Sequence, residues 1–102
     1  MATYFIATDS DQEKQGFYKI NKSVNINNTL LQLNTSRANK DFKIIKSWSC
    51  NDSKRADELI KPTLKKHLYN NSVDWIKVPD EGTLTKIISK IETLISIVND
   101  DD

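Results

Sequence analysis

Tyr4-Phe5-Ile6-Ala7 and Phe17-Tyr18-Lys19-Ile20 stand at either end of the polar stretch Thr8 to Gly16, and the reading of these two runs decides the fold. Each is a short aromatic and branched segment of the kind that favours an extended, half-buried backbone. The stretch between them carries turn-prone Asp9-Ser10-Asp11, with Gly16 easing the return, so the pair predicts an antiparallel ribbon joined by a loose hairpin. Downstream, Phe42-Lys43-Ile44-Ile45-Lys46-Ser47-Trp48 alternates only in part and predicts the central strand of a sheet. A shorter run, Val73-Asp74-Trp75-Ile76-Lys77-Val78, follows the Asn70-Asn71 turn signal and stops at Pro79.

Helical spacing fills the intervals. Val24, Ile26, Leu30, Leu31 and Leu33 form an imperfect stripe with Ser23 or Asn25 as its cap. Ala56, Leu59, Ile60, Leu64 and Leu68 form a second, capped by Asp52 or Ser53, in which Pro62 either kinks one helix or opens another. Leu84, Ile87, Ile88, Ile91, Leu94, Ile95 and Val98 make the cleanest stripe, with Asp80 as cap. A helix over 81–98 would span about 27 Å, enough to cover a sheet. The order strand, strand, helix, strand, helix, short strand, helix predicts the α/β class in its α+β form. Its sheet is short and mainly antiparallel, with three to four strands packed by helices. One domain over 1–98 is expected, followed by an acidic, frayed tail at 99–102. Seven apolar positions exceed what a minimal cover needs, so Leu84, Ile88, Ile91 and Ile95 are candidates for pairing with a second copy or with a host or viral protein.

Composition agrees with a single small domain. Two glycines and two prolines in 102 residues exclude collagen-like and linker-like chains, and 37% hydrophobic content excludes wholly disordered ones. Cys50 is alone, so no internal disulfide is available, and no Cys/His cluster offers a structural zinc site. Fifteen basic residues face fourteen acidic ones; setting aside Asp100, Asp101 and Asp102 leaves a body of about +4, which permits phosphate contact without requiring it. Thirteen of the bases are lysine, so only Arg37 and Arg55 offer two-pronged contacts. No leader-like start and no membrane-length segment is present, so an intracellular, soluble protein that engages no membrane is expected. Glycine-rich phosphate loops, zincin motifs and calcium loops are also missing, so no cofactor is expected.

The element order and several local patterns resemble the GIY-YIG nuclease superfamily, especially the small branch typified by the bacteriophage T5 open-reading-frame 172 domain, found in phages and large DNA viruses. Tyr4-Phe5-Ile6 occupies the first signature strand. Phe17-Tyr18-Lys19-Ile20-Asn21 occupies the second, where the branch usually ends Lys-Ile-Gly. Leu30 and Leu33, then Asn34-Thr35-Ser36 and Phe42, look like the Leu-x-x-Leu-Ser-Thr-Thr segment and the Phe that opens the third strand. Ala56 to His67 and Asp74-Trp75-Ile76 resemble the second helix and the Glu-Trp-Phe segment beyond it. The likeness is strongest over 4–78.

The resemblance implies a remnant of a metal-dependent phosphodiesterase site. It places the family's strand tyrosine at Tyr4, the second polar position at Lys19, the permissive glycine at Asn21, the helix arginine at Thr29 and the glutamate at Asp74. Thr29 has no guanidinium to stabilise a pentavalent phosphate, and Asp74 is one methylene short of a glutamate. An oriented charge donor is worth several kcal/mol in a transition state, so these departures argue against cleavage. The favoured expectation is a catalytically degenerate domain that binds DNA or RNA through a weakly basic groove formed by Tyr18, Lys19, Lys22, Arg37, Arg55 and His67. Two alternatives stand beside it. One is a protein-interaction or homodimerisation module on a nuclease-derived scaffold. The other is an active DNA endonuclease using Mg²⁺ or Mn²⁺, with Asp74 as the metal ligand and Arg37 compensating for Thr29. A blander reading has Tyr4 sealing the core, Lys19 on ordinary strand surface and Asp74 bracing its strand.

Overall fold

Successive side chains of strand β1 (Ala2–Thr8) point to opposite faces, yet Tyr4, Phe5, Ile6, Ala7 and Thr8 are all buried, so both faces of this strand are covered. The computed structural model describes residues 2–35, 41–69 and 74–100. It places β1 between β2 (Phe17–Ser23) and β3 (Lys43–Cys50), with β4 (Trp75–Lys77) outside β2. All three pairings are antiparallel, giving a four-stranded sheet of the expected α+β kind. The strand expected at the centre, β3, is an edge. Lys43, Lys46, Ser47 and Ser49 are exposed along it, and a strand with partners on both sides and cover on both faces would bury such groups.

Register separates two cores. Tyr4 faces Lys22 and Ile6 faces Ile20 on one side of the sheet; Phe5 faces Asn21 and Ala7 faces Lys19 on the other. The first side carries α3 (Ser53–Thr63) and α4 (Glu81–Asp100), so Tyr4, Ile6, Tyr18, Ile20 and Ile76 pack with Ala56, Ile60, Leu64 and the apolar stripe of α4. The second side holds a smaller core in which Phe5, Ala7 and Phe42 meet Ile26, Leu30 and Leu33 of α2 (Ile26–Thr35). A register shift between Ile6 and Ala7 lets adjacent Ile45 and Ile44 of β3 serve the first and second cores respectively.

Local chemistry corrects several sequence expectations. The segment read as a loose hairpin is a short helix, α1 (Ser10–Lys14), because the carboxylate of Asp9 accepts the Gln12 N–H at 2.8 Å and caps it. Helix α2 begins after Val24, which is 89% exposed, and is capped by Asn25 rather than by Ser23; Leu31 also faces outward. Pro62 sits in the last turn of α3, which ends one residue later and passes into a 3-10 turn at Lys65–His67 instead of a second α-helix. Asp80 caps α4 through the Thr83 N–H at 2.7 Å, a bond that holds its carboxyl below the usual range.

The stripe of α4 is used inside the chain. Leu84, Ile91 and Ile95 are buried against the sheet and Ile88 packs half-buried on the same core, so these side chains do not present the pairing surface expected of them. The helix continues to Asp100, and Asn99 bonds the Ser49 carbonyl and the Asn51 N–H, so Asn99 and Asp100 are helical rather than frayed. Among the described residues no helix is long and apolar enough to cross a membrane.

Gly16 closes the turn into β2. Its φ of +81° lies in the left-handed region, its carbonyl accepts the Val78 N–H at 2.9 Å, and a Cβ there would collide with the Val78 carbonyl oxygen. Gly16→Ala is therefore expected to cost about 1–3 kcal/mol, read as a lowered urea midpoint with unchanged slope.

Candidate functional site

β4 has three residues and β2 has seven, so beyond Lys19 the outer edge of β2 has no strand beside it. Backbone and side chains fill this step. The Ile20 N–H donates to the Asp74 carbonyl at 2.7 Å, and the Ile20 carbonyl accepts from Lys61 Nζ at 3.1 Å. Lys61 belongs to α3, and Asp57, one helical turn before it, reaches the same edge.

Charged groups of both signs gather here. Tyr4 Oη donates to Asp57 Oδ1 at 2.8 Å, and Lys22 Nζ lies 3.5 Å from Asp57 Oδ2. Lys61 Nζ and Lys19 Nζ each stand 3.6 Å from an Asp74 carboxylate oxygen. Lys19 and Lys61 are only 18% exposed and Asp74 32%, so these pairs are partly shielded from water and screened less than surface pairs. Among the described residues three ammonium groups thus face two carboxylates, an excess of one positive charge at the step.

That environment sets the protonation states. Burial first, then the hydrogen bond to Asp57 and the fields of Asp57 and Asp74, push the Tyr4 phenol far above its ordinary value. Tyr4 is a neutral donor at any physiological pH and cannot serve as a phenolate base. Burial also lowers Lys61, against the opposing pull of Asp57 and Asp74.

The other sequence candidates distribute around this centre. Lys19 and Asp74 meet, and Tyr4 reaches the step through its hydroxyl on Asp57, its ring being buried in the core. Asn21 lies on the opposite face beside Phe5, with its side chain turned onto the Lys22 N–H. Thr29 pairs its hydroxyl with that of Ser23, so the arginine position is tied locally to the end of β2. Tyr18 is 6% exposed within the core and cannot stack on a base, which corrects its placement in a groove. Arg55 is exposed in the first turn of α3, and His67 lies in the 3-10 turn, where burial foremost lowers its pKa. Arg37 lies outside the described residues. Asp57 and Lys61 are not in the groove expected from the sequence. Their signal is the i, i+4 spacing of opposite charges one position beyond Ala56 and Ile60, which turns both toward the sheet edge.

A divalent metal does not fit this arrangement. Both carboxylates are paired with ammonium groups, and among the described residues no three His, Cys, Asp or Glu side chains are grouped to hold an ion. The T5orf172 domain model matches residues 1–92. The chain belongs to the T5orf172 domain family. The match takes in the 4–78 segment that carries the sequence motifs and runs on through residues 81–92 of α4. The family is related to the GIY-YIG nucleases. No curated protein and no solved structure matches the chain.

Proposed function

We propose that this T5orf172 domain binds the backbone of a nucleic acid without cutting it, at the lysine-lined step beyond β4. The observation that carries this reading is the excess of ammonium over carboxylate among the described residues there: Lys19, Lys22 and Lys61 around Asp57 and Asp74. A backbone phosphate approaching the step meets lysines held in place by the two aspartates, and Lys22, the most exposed at 36%, swings to it at least cost. Among the described residues cleavage lacks its parts: Tyr4 keeps its proton, Thr29 brings no guanidinium, and the carboxylates are engaged by lysine.

Anisotropy titrations with labelled DNA and RNA at increasing salt, with parallel incubations in Mg²⁺ or Mn²⁺, test both halves. Affinity is expected to fall linearly on a log–log plot, with Lys22→Ala reducing the magnitude of the slope by about one phosphate equivalent (roughly 0.7–0.9), and no cut product is expected. No binding at low salt would reject the reading. Products that vanish in Asp74→Ala would instead establish an endonuclease.

A further inference from the structure

Helix α2 covers β1 and the Phe42–Ile44 end of β3, while the same face of the sheet continues across β2 and β4, where Trp75 packs at the margin of that small core. There Phe17 faces Lys77 and Lys19 faces Trp75 in register. The chain adds a further aromatic after the 3-10 turn: Leu68 bridges to Ile76 and the Tyr69 N–H donates to the Trp75 carbonyl at 3.0 Å, which extends the edge of β4 and brings Tyr69 onto Phe17. The two rings meet edge to face, 4.7 Å apart at 72°, and Lys77 Nζ lies over both, at 5.4 Å and 5.8 Å. Lys19 Nζ holds a similar place 5.6 Å from the Trp75 ring.

Tyr69 is 44% exposed and belongs to neither core, although an aromatic of that size is normally driven under cover. Beside it opens a cleft of about 320 Å³ lined by Lys66, His67, Leu68, Tyr69, Lys77 and Pro79 among others, with no acidic residue among the described lining. Aromatic rings accompanied by cations, beside a cleft without carboxylates, complement a ligand with a flat π-face and an anionic chain.

We infer that the β4 edge is a base-stacking platform for single-stranded nucleic acid, with Tyr69 and Phe17 receiving an unpaired base and Lys77, Lys66 and Lys19 receiving the adjoining phosphates. This rests on the phosphate-binding reading of the neighbouring step and names its substrate class. Lys19 is two residues along β2 from Phe17, roughly 7 Å, so one strand can engage the step and the platform together. A duplex cannot, because its bases present edges to the grooves while their faces stay stacked on one another.

The test compares three fluorescein-labelled probes at low salt: a twelve-residue oligothymidylate, an abasic chain of the same length and charge, and a twelve-pair duplex. Oligothymidylate is expected to bind roughly 5- to 150-fold more tightly than the abasic chain, the range for one stacked base. Tyr69→Ala should remove most of that difference, bringing oligothymidylate and the abasic chain close to equal affinity, and Tyr69→Phe should retain it. Equal binding of oligothymidylate and the abasic chain, or preference for the duplex, overturns the platform while leaving the phosphate step intact. Failure of all three probes to bind overturns both. The probe comparison on the unaltered protein decides the matter even if a Tyr69 variant folds poorly.

Discussion

Ile91→Asp is expected to leave the chain unfolded rather than to release it from an assembly. Ile91 has no exposed surface and lies in the main core between the sheet and α3. Removing a buried isoleucine of this kind costs about 2–5 kcal/mol, and a carboxylate left there without a partner adds several more. Together these approach or exceed the roughly 5–15 kcal/mol that holds a domain folded. Far-UV circular dichroism should show loss of structure at 25 °C and no cooperative urea transition. Ile97→Asp, on the exposed side of the same helix at 48% exposure, should shift stability by only about 0.5 kcal/mol or less. A folded Ile91→Asp protein with a smaller mass in solution would show instead that this stripe joins two chains.

The contrast between those two positions shows what periodicity conveys. The stripe from Leu84 to Val98 locates a helix and its apolar face from spacing alone, because an α-helix returns to the same side every 3.6 residues. Spacing does not say what covers that face. The answer lies in the other elements: Tyr4, Ile6, Ile20 and Ile76 present one side of a sheet wide enough to take both α3 and α4. Strand order behaves in the same way. Phe42 to Trp48 reads as a strand, but its rank within the sheet depends on whether lysines and serines along it are tolerated, and they are tolerated at an edge. The uninterrupted run Tyr4-Phe5-Ile6-Ala7 is the better mark of an inner strand, since it is apolar on both faces.

The candidate site was legible to a different depth. Lys19 and Asp74 are brought together because β2 and β4 pair at that point, which the motif order anticipates. The role of Asp57 and Lys61 remains hidden in sequence because a charged pair at i, i+4 on a helix ordinarily lies in solvent. Their role depends on how far β4 falls short of β2, a length that follows from packing and turn geometry rather than from any local motif. The same shortfall explains why polar groups gather at that edge: the Ile20 carbonyl beyond the last strand pair needs a donor, and Lys61 supplies it.

Removing Asp57 should therefore damage the domain more than removing the group that donates to it. Asp57→Ala leaves the buried Tyr4 hydroxyl without its acceptor and takes away the partner of Lys22, at an expected cost of about 2–4 kcal/mol. Tyr4→Phe deletes the hydroxyl and keeps the ring in place, so about 1 kcal/mol is expected, and the double variant should fall well short of the sum because the two groups share one bond. Alkaline pH separates the partners further. The folded-state pKa of Tyr4 is raised well above 10.0, the value it takes when unfolded, so its contribution is fully present below pH 10 and is lost as pH rises beyond it. Above that point the unfolded chain releases a proton that the folded chain keeps, and stability should fall about 1.4 kcal/mol faster per pH unit in the parent than in Tyr4→Phe. Cys50, Tyr18 and Lys61 titrate in both proteins and drop out of the comparison. Urea unfolding of the two between pH 9 and 11 measures the difference; parallel curves above pH 10 would mean that Tyr4 ionises in the folded state, and the argument against a phenolate base at this step would fail with it.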